Sequence, residues 1–185
     1  MNTPVQENIY GTFAGSVDQI AVQKFFNALT IAVNNRFKRV HLLIQSSGGI
    51  IGDGIALYNF LRNLPIEVIT YNMGSVQSIG VIAYLGATKR KAVKTAAFMI
   101  HRAQFTSSIP AQSQQLEAVT KSLAIDDARM ADILRENIAL PEDKWAIHAH
   151  ADLFLTPQQA LEYKLIDEIT EFAPPLGAPI FNVLS

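Results

Sequence analysis

The sequence predicts an α/β fold built on a parallel sheet, and three observations carry that prediction. Short apolar runs alternate with segments of helical periodicity, the order expected of βαβ units. One of these runs, "VHLLIQ" at residues 40–45, is almost continuously apolar, as a strand covered on both faces is. The segments rich in glycine and serine, from Gly48 and from Gly74, begin just after strands, where ligands of such sheets sit. With 185 residues, 49% of them apolar and only 17% charged, the chain can bury a core as one domain, and its low charge implies that much surface is buried, either inside the domain or between subunits.

Each element has its own signature. "NIYGTFAGSV" reads as a first strand and turn. From Asp18 to about Asn34, Ile20, Ala21, Phe25, Ala28, Leu29 and Ala32 recur at helical spacing, with Asp18 as N-cap. After residues 40–45 comes the turn "SSGGIIGDG", then a helix over "IALYNFLRNL" that Pro65 stops. "IEVITYN" is the next strand, followed by an oily helix that holds Ser78. "AAFMIHRA" is another strand. A long helix is expected from Pro110 to about Asn137, with an apolar stripe of Leu116, Val119, Leu123, Met130, Ile133 and Leu134. Its length exceeds that of an average globular helix, so it is expected to project and to pack on a neighbour. "PEDKWAIHAHAD" reads as a shorter helix, and "TPQQALEYKLIDEI" as a last one with Thr156 as cap and Pro157 in its first turn, before a short strand. The Pro-rich tail "EFAPPLGAPIFNVLS" is expected to be extended.

Composition excludes several classes of function. A net charge of −1 argues against a broad nucleic-acid or anionic-membrane footprint. The absence of cysteine removes disulfides, thiolate metal sites and a cysteine nucleophile together. The start "MNTPVQENIYG" lacks a signal-peptide pattern, and stretches such as "SIGVIAYLGA" fall short of the roughly 20 residues that span a bilayer. The expectation is a soluble, cytoplasmic protein.

The chemistry turns on Ser78, in "GSVQSIG". Such a serine packs or caps a helix, a role open to Ser75 as well, or it is a nucleophile. As a nucleophile it needs a base within hydrogen-bond reach, a group to orient that base, and fixed donors for the oxyanion. The N–H of Ile79, at a helix start, can be one donor, and the Gly48–Gly49 turn can bring the other close because glycine has no Cβ. The segment is not the G-x-S-x-G elbow, since Val76 stands where the first glycine would be. Nor is the Gly48 turn a dinucleotide or P-loop fingerprint. His101 ends the apolar run "FMI" and is either a satisfied core histidine or a base, whereas His41 reads as structural. In "HAHAD", His148 and Asp152 share a helical face and His150 does not, which speaks against a three-ligand metal site there and leaves only a two-ligand site with a remote third. Asp152 precedes the apolar "LFL", in place to meet a buried partner.

Four collinear segments, "LIQSSGGIIGDGIALYNFL", "MGSVQSIGVIAYLGA", "FMIHRA" and "DLFLTPQQALEYKLIDEI", resemble those of the Clp protease proteolytic subunit (ClpP) family over about residues 8 to 170. The resemblance implies the ClpP/crotonase spiral of βαβ units. It implies Ser78 as nucleophile, His101 as general base, Asp152 as orienting carboxylate, and the N–H groups of Gly48 and Ile79 as the oxyanion hole. It implies an acyl-enzyme serine endopeptidase without metal or cofactor, acting on peptides or unfolded chains inside a homo-oligomeric chamber. The head would span about 8–109 and 150–170 and the handle helix about 110–138, with a tail over 171–185. The family's heptameric rings stack in pairs through the handle.

Departures from the family pattern qualify this. Ser47 replaces a proline beside the oxyanion turn, and Gln77 a small residue before the nucleophile. "RAQFTSSIPAQS" lacks the glycines of the strand that pairs with substrate, and His150-Ala151 replaces the Glu-Arg pair that joins the rings, so a single ring is the alternative assembly. About eight residues precede the first strand, where the family has an axial loop and a first helix, so a Clp-type ATPase is the partner with least support. The rival readings are a crotonase-type acyl-CoA hydratase or isomerase, which leaves Ser78 without a task, and a non-catalytic ring subunit. A membrane-anchored Ser-Lys relative is disfavoured by His101.

Overall fold

Strands β1 (Gln6–Ala14) and β2 (Phe37–Ser46) run parallel in register from Gln6↔Phe37 to Ala14↔Gln45, and helix α1 (Gln19–Asn34) is the crossover between them. The computed structural model describes residues 6–105 and 112–185. Helix α1 starts where Asp18 Oδ1 accepts the Ala21 N–H at 2.8 Å. Its buried face of Ala21, Val22, Phe25, Leu29 and Ala32 follows the helical period, and Phe25 packs on Phe13 with ring centroids 4.8 Å apart.

Helix α2 (Ile51–Arg62) begins earlier than its apolar run suggests and takes in Gly52 and Gly54. A Cβ on Gly54 would lie 2.2 Å from an Ile79 side-chain carbon, so glycine is what lets α2 meet the next helix. Strand β3 (Glu67–Gln77) is longer than its apolar stretch and pairs with two strands in succession. Residues 69–72 pair with β4 (Lys89–Ala92) and residues 75–77 with β5 (Ala97–Ile100), all in parallel. Asn72, fully buried, stands where β3 changes partner. Its Nδ2 donates to the Ala97 carbonyl at 2.8 Å and its Oδ1 accepts the Gly74 N–H at 3.0 Å. Strand β4 has no apolar run to announce it. Lys91 pairs with Glu168 at 2.6 Å, and the backbone N–H of Arg90 donates to Asp167 at 2.8 Å.

Helix α3 (Ile79–Leu85) is buried at every position. Helix α4 (Ser113–Asn137) buries only Met130 and Leu134, both in its C-terminal half. The expected start at Pro110 lies outside the described residues. Helix α5 (Glu142–His148) is shorter than expected, and "LFL" forms strand β6 (Leu153–Leu155), antiparallel to β5. Helix α6 (Pro157–Glu162) has the Thr156 cap and Pro157 start that the sequence indicated, but it ends sooner. Lys164, at φ 59°, turns the chain so that "EI" becomes β7 (Glu168–Ile169), paired with β4. The tail is not merely extended: β8 (Ile180–Asn182) adds in parallel to β1, and Val183 behind it is buried.

The sheet runs β6-β5-β3-β2-β1-β8, with β4 and β7 branching from β3. The turns after β2, β3 and β5 therefore open on one neighbourhood, and they carry Gly48, Ser78 and His101.

Candidate active site

Ser78 is a corner. Strand β3 ends at Gln77 and α3 starts at Ile79, and Ser78 between them has φ 56° and ψ −133°. A non-glycine residue in such a conformation carries strain of about 1–3 kcal/mol and needs its surroundings to hold it there. The Ser78 N–H donates to the Met99 carbonyl of β5 at 2.8 Å, and its carbonyl accepts the Val81 N–H at 3.0 Å. Ser78 itself is half-buried, whereas every residue of α3 after it is buried. The Ile79 N–H, at the first position of α3, precedes the intrahelical ladder.

The Gly48–Gly49 turn lies against this corner. Gly48 has φ 104°, and a Cβ on it would stand 2.6 Å from Ser78 Cβ and 3.0 Å from its Oγ. Glycine is required there on both counts. A Cβ on Gly49 would fall 2.1 Å from the Val17 carbonyl oxygen. The turn is pinned to Val17, whose N–H donates to the Gly48 carbonyl and whose carbonyl accepts the Ile50 N–H, both at 2.8 Å. The Gly48 N–H donates to Ser46 Oγ at 3.2 Å, a long bond from a donor beside the Ser78 hydroxyl.

His101 is the first residue beyond β5. Its Nε2 lies 2.6 Å from Ser78 Oγ, a short hydrogen bond between groups 23 positions apart in sequence. Its Nδ1 is buried and meets no hydrogen-bond partner among the described residues. For Nε2 to accept the hydroxyl proton, the ring must carry its own proton on Nδ1, and a buried donor left alone costs about 1–3 kcal/mol. The register of β5 and β6 points to what could meet it. The pairs are Phe98↔Leu155, Met99↔Phe154 and Ile100↔Leu153. One step further along this antiparallel ladder sets His101 opposite Asp152, and side chains directly opposite share a face. Asp152 is exposed, and its carboxylate is not hydrogen-bonded to His101.

The chain matches the family model "Clp protease" over residues 8–173. The chain belongs to the Clp protease family. Among the relatives of this chain, the ATP-dependent Clp protease proteolytic subunit of Bdellovibrio bacteriovorus is 28% identical over 157 residues, covering 83% of this chain and 74% of that one. The ATP-dependent Clp protease proteolytic subunit 2 of Corynebacterium diphtheriae is 27% identical over 158 residues, covering 84% and 78%. A mutant of ClpP1 from Listeria monocytogenes superposes with a TM-score of 0.74 at 21% identity, covering 88% of this chain and 91% of that one. The fold is therefore the ClpP spiral, and family membership favours neither the crotonase-type nor the non-catalytic reading.

Some groups around the Ser78–His101 pair gave no signal in the sequence. Ser46 and Asn72 are buried polar residues inside apolar strands, legible only as interruptions of those runs. Asp127, half-way along α4, accepts the Ala103 N–H just after His101, and no local pattern links the two. Gln77 donates from Nε2 to Ser75 Oγ at 2.8 Å, so Ser75 supports the strand before the corner rather than capping a helix. His41 is structural, held between Tyr71 Oη at 2.9 Å and Asn8 Oδ1 at 3.1 Å.

Proposed function

We propose that this Clp protease family member is a serine endopeptidase whose nucleophile is Ser78. The observation that carries the reading is the 2.6 Å contact between Ser78 Oγ and His101 Nε2 at a strained corner facing a glycine turn. His101 Nε2 takes the hydroxyl proton as Oγ attacks a peptide carbonyl carbon. The carbonyl oxygen gains the charge, and the N–H groups of Gly48 and Ile79 receive it. The imidazolium then protonates the departing amine, and a water deacylates Ser78 by the same route in reverse. Asp152 is the orienting carboxylate in this reading, supported by the β5–β6 pairing, which one further step would extend to His101 and Asp152. On substrate binding the Gly48 N–H exchanges the Ser46 hydroxyl for the oxyanion.

The substrates are peptides or unfolded chains, admitted to a chamber built from copies of this chain. The exposed N-terminal half of α4 and its apolar Leu116 and Ile125 support assembly through the handle, into a heptameric ring that is single or stacked. A cytoplasmic location completes the reading, in which a Clp-type ATPase remains the partner with least support. Ser78→Ala is expected to lower hydrolysis of fluorogenic peptides by at least about 10⁴-fold and to leave the assembled mass unchanged. Wild-type hydrolysis by purified Ser78→Ala would end it.

A further inference from the structure

Beyond His101 the chain leaves the sheet, since the last β5–β6 pair is Ile100↔Leu153. The main chain is next held two residues after His101, by a side chain from another element. Asp127 Oδ1 accepts the Ala103 N–H at 2.7 Å. Asp127 Oδ2 accepts from Arg102 Nε at 2.9 Å and Nη2 at 2.5 Å. Arg102 Nη1 reaches the Ala149 carbonyl at 3.4 Å, in the loop that leads to Asp152. One carboxylate thus receives donors from both residues that follow His101.

The two kinds of contact differ in weight. Arg102 is 54% exposed, so its ion pair is screened and contributes little by itself. The bond to the Ala103 N–H is charge-assisted, short and half-buried, and it fixes a stretch of main chain. His101 therefore lies between two anchors, Ile100 in the ladder and Ala103 on Asp127. Asp127 is one turn before Met130, the first buried residue of α4, so it stands where the handle leaves the core.

We propose that Asp127 is a positioning residue for the Ser78–His101 pair, through which the base of the handle helix sets the reach of the imidazole. This rests on the serine-peptidase reading. The test compares Asp127→Ala, Asp127→Asn and Arg102→Gln in the assembled protein, by peptide hydrolysis, by thermal unfolding and by crystal structures. Misplacing a reacting group by about 1 Å costs on the order of 100-fold in rate. Asp127→Ala should thus lower kcat roughly 10- to 100-fold, leave KM within about twofold, and open the Ser78 Oγ–His101 Nε2 contact beyond hydrogen-bond distance. Asp127→Asn and Arg102→Gln retain an acceptor for the Ala103 N–H and should keep kcat within about fivefold. If Asp127→Ala does not fold, Asp127→Ser removes the same reach and replaces it.

A loss of thermal stability with wild-type kcat per folded molecule overturns the proposal, because a structural role alone would do that. So does a lowered kcat with the Ser78–His101 contact intact. If the wild type hydrolyses no peptide the serine-peptidase reading fails, and the crystal structures still decide whether Asp127 positions His101.

Discussion

Ser78 shows how much strain a single residue can be made to hold when its neighbours are arranged for it. Its φ of 56° is tolerated because β5 takes its N–H and α3 takes its carbonyl, and because Gly48 leaves the space a Cβ would fill. Gly48→Ala removes that space and forces a side chain onto φ 104°. It should destabilise the protein by about 1–3 kcal/mol and slow peptide hydrolysis by roughly 10²–10³-fold, because the first oxyanion donor is displaced with the turn. Denaturant unfolding and steady-state kinetics check the two effects separately, and unchanged turnover would remove Gly48 from the oxyanion hole. At this scale the sequence was informative about identities and silent about geometry. A serine among oily residues, glycines after a strand and a histidine ending "FMI" are visible in the string, but the corner angle and the 2.6 Å contact are not. That Nδ1 of His101 has no partner among the described residues could not be anticipated, since it depends on where the β6 loop leaves Asp152.

Elements deliver these residues to one place by packing and register. The parallel run β1, β2, β3 and β5 was legible because its strands are apolar and separated by amphipathic helices. Strands β4 and β8 were not, because "KRKA" is charged and "IFN" lies in a Pro-rich tail. Each exists by tertiary pairing, β4 through acidic partners near β7 and β8 through the free edge of β1. Helix α5 has a further consequence for stability. His148 at its end is buried near His101, Arg102 and Asp127. Burial holds its imidazole below the ordinary value, Arg102 and His101 add to this, and Asp127 opposes it. A histidine depressed in the folded state takes up its proton more readily when unfolded. Its contribution is therefore fully present above its unfolded value of about 6.5 and is lost as pH falls below it. Thermal unfolding midpoints should drop from pH 7 to pH 5 and drop less in His148→Gln. Equal slopes for the two proteins would show that His148 is not the group responsible.

The whole molecule is where the account gains or loses its coherence. Ser78 comes from the end of β3, His101 from the end of β5, Gly48 from the end of β2, and Asp152 from the loop into β6. No local segment contains the site, and only the spiral path of the chain assembles it. The sequence carried that path through its resemblance to the Clp protease family, and the matched span of residues 8–173 covers all of these positions. A long helix with an apolar stripe was also legible from its periodicity, and only Met130 and Leu134 of that stripe are buried within one chain. Low overall charge, an exposed handle and exposed apolar residues on α1 such as Ile20 and Ile31 have a common explanation if copies of the chain cover them.

The convergence of Ser78 and His101 is most directly tested by treating the intact protein with a fluorophosphonate and locating the adduct by peptide mass mapping. The expected result is one adduct, on Ser78, formed at a rate that falls at least about 10³-fold in His101→Ala. Labelling of other serines at comparable rates, or labelling of Ser78 that His101→Ala leaves unchanged, would contradict an imidazole-activated hydroxyl at this corner.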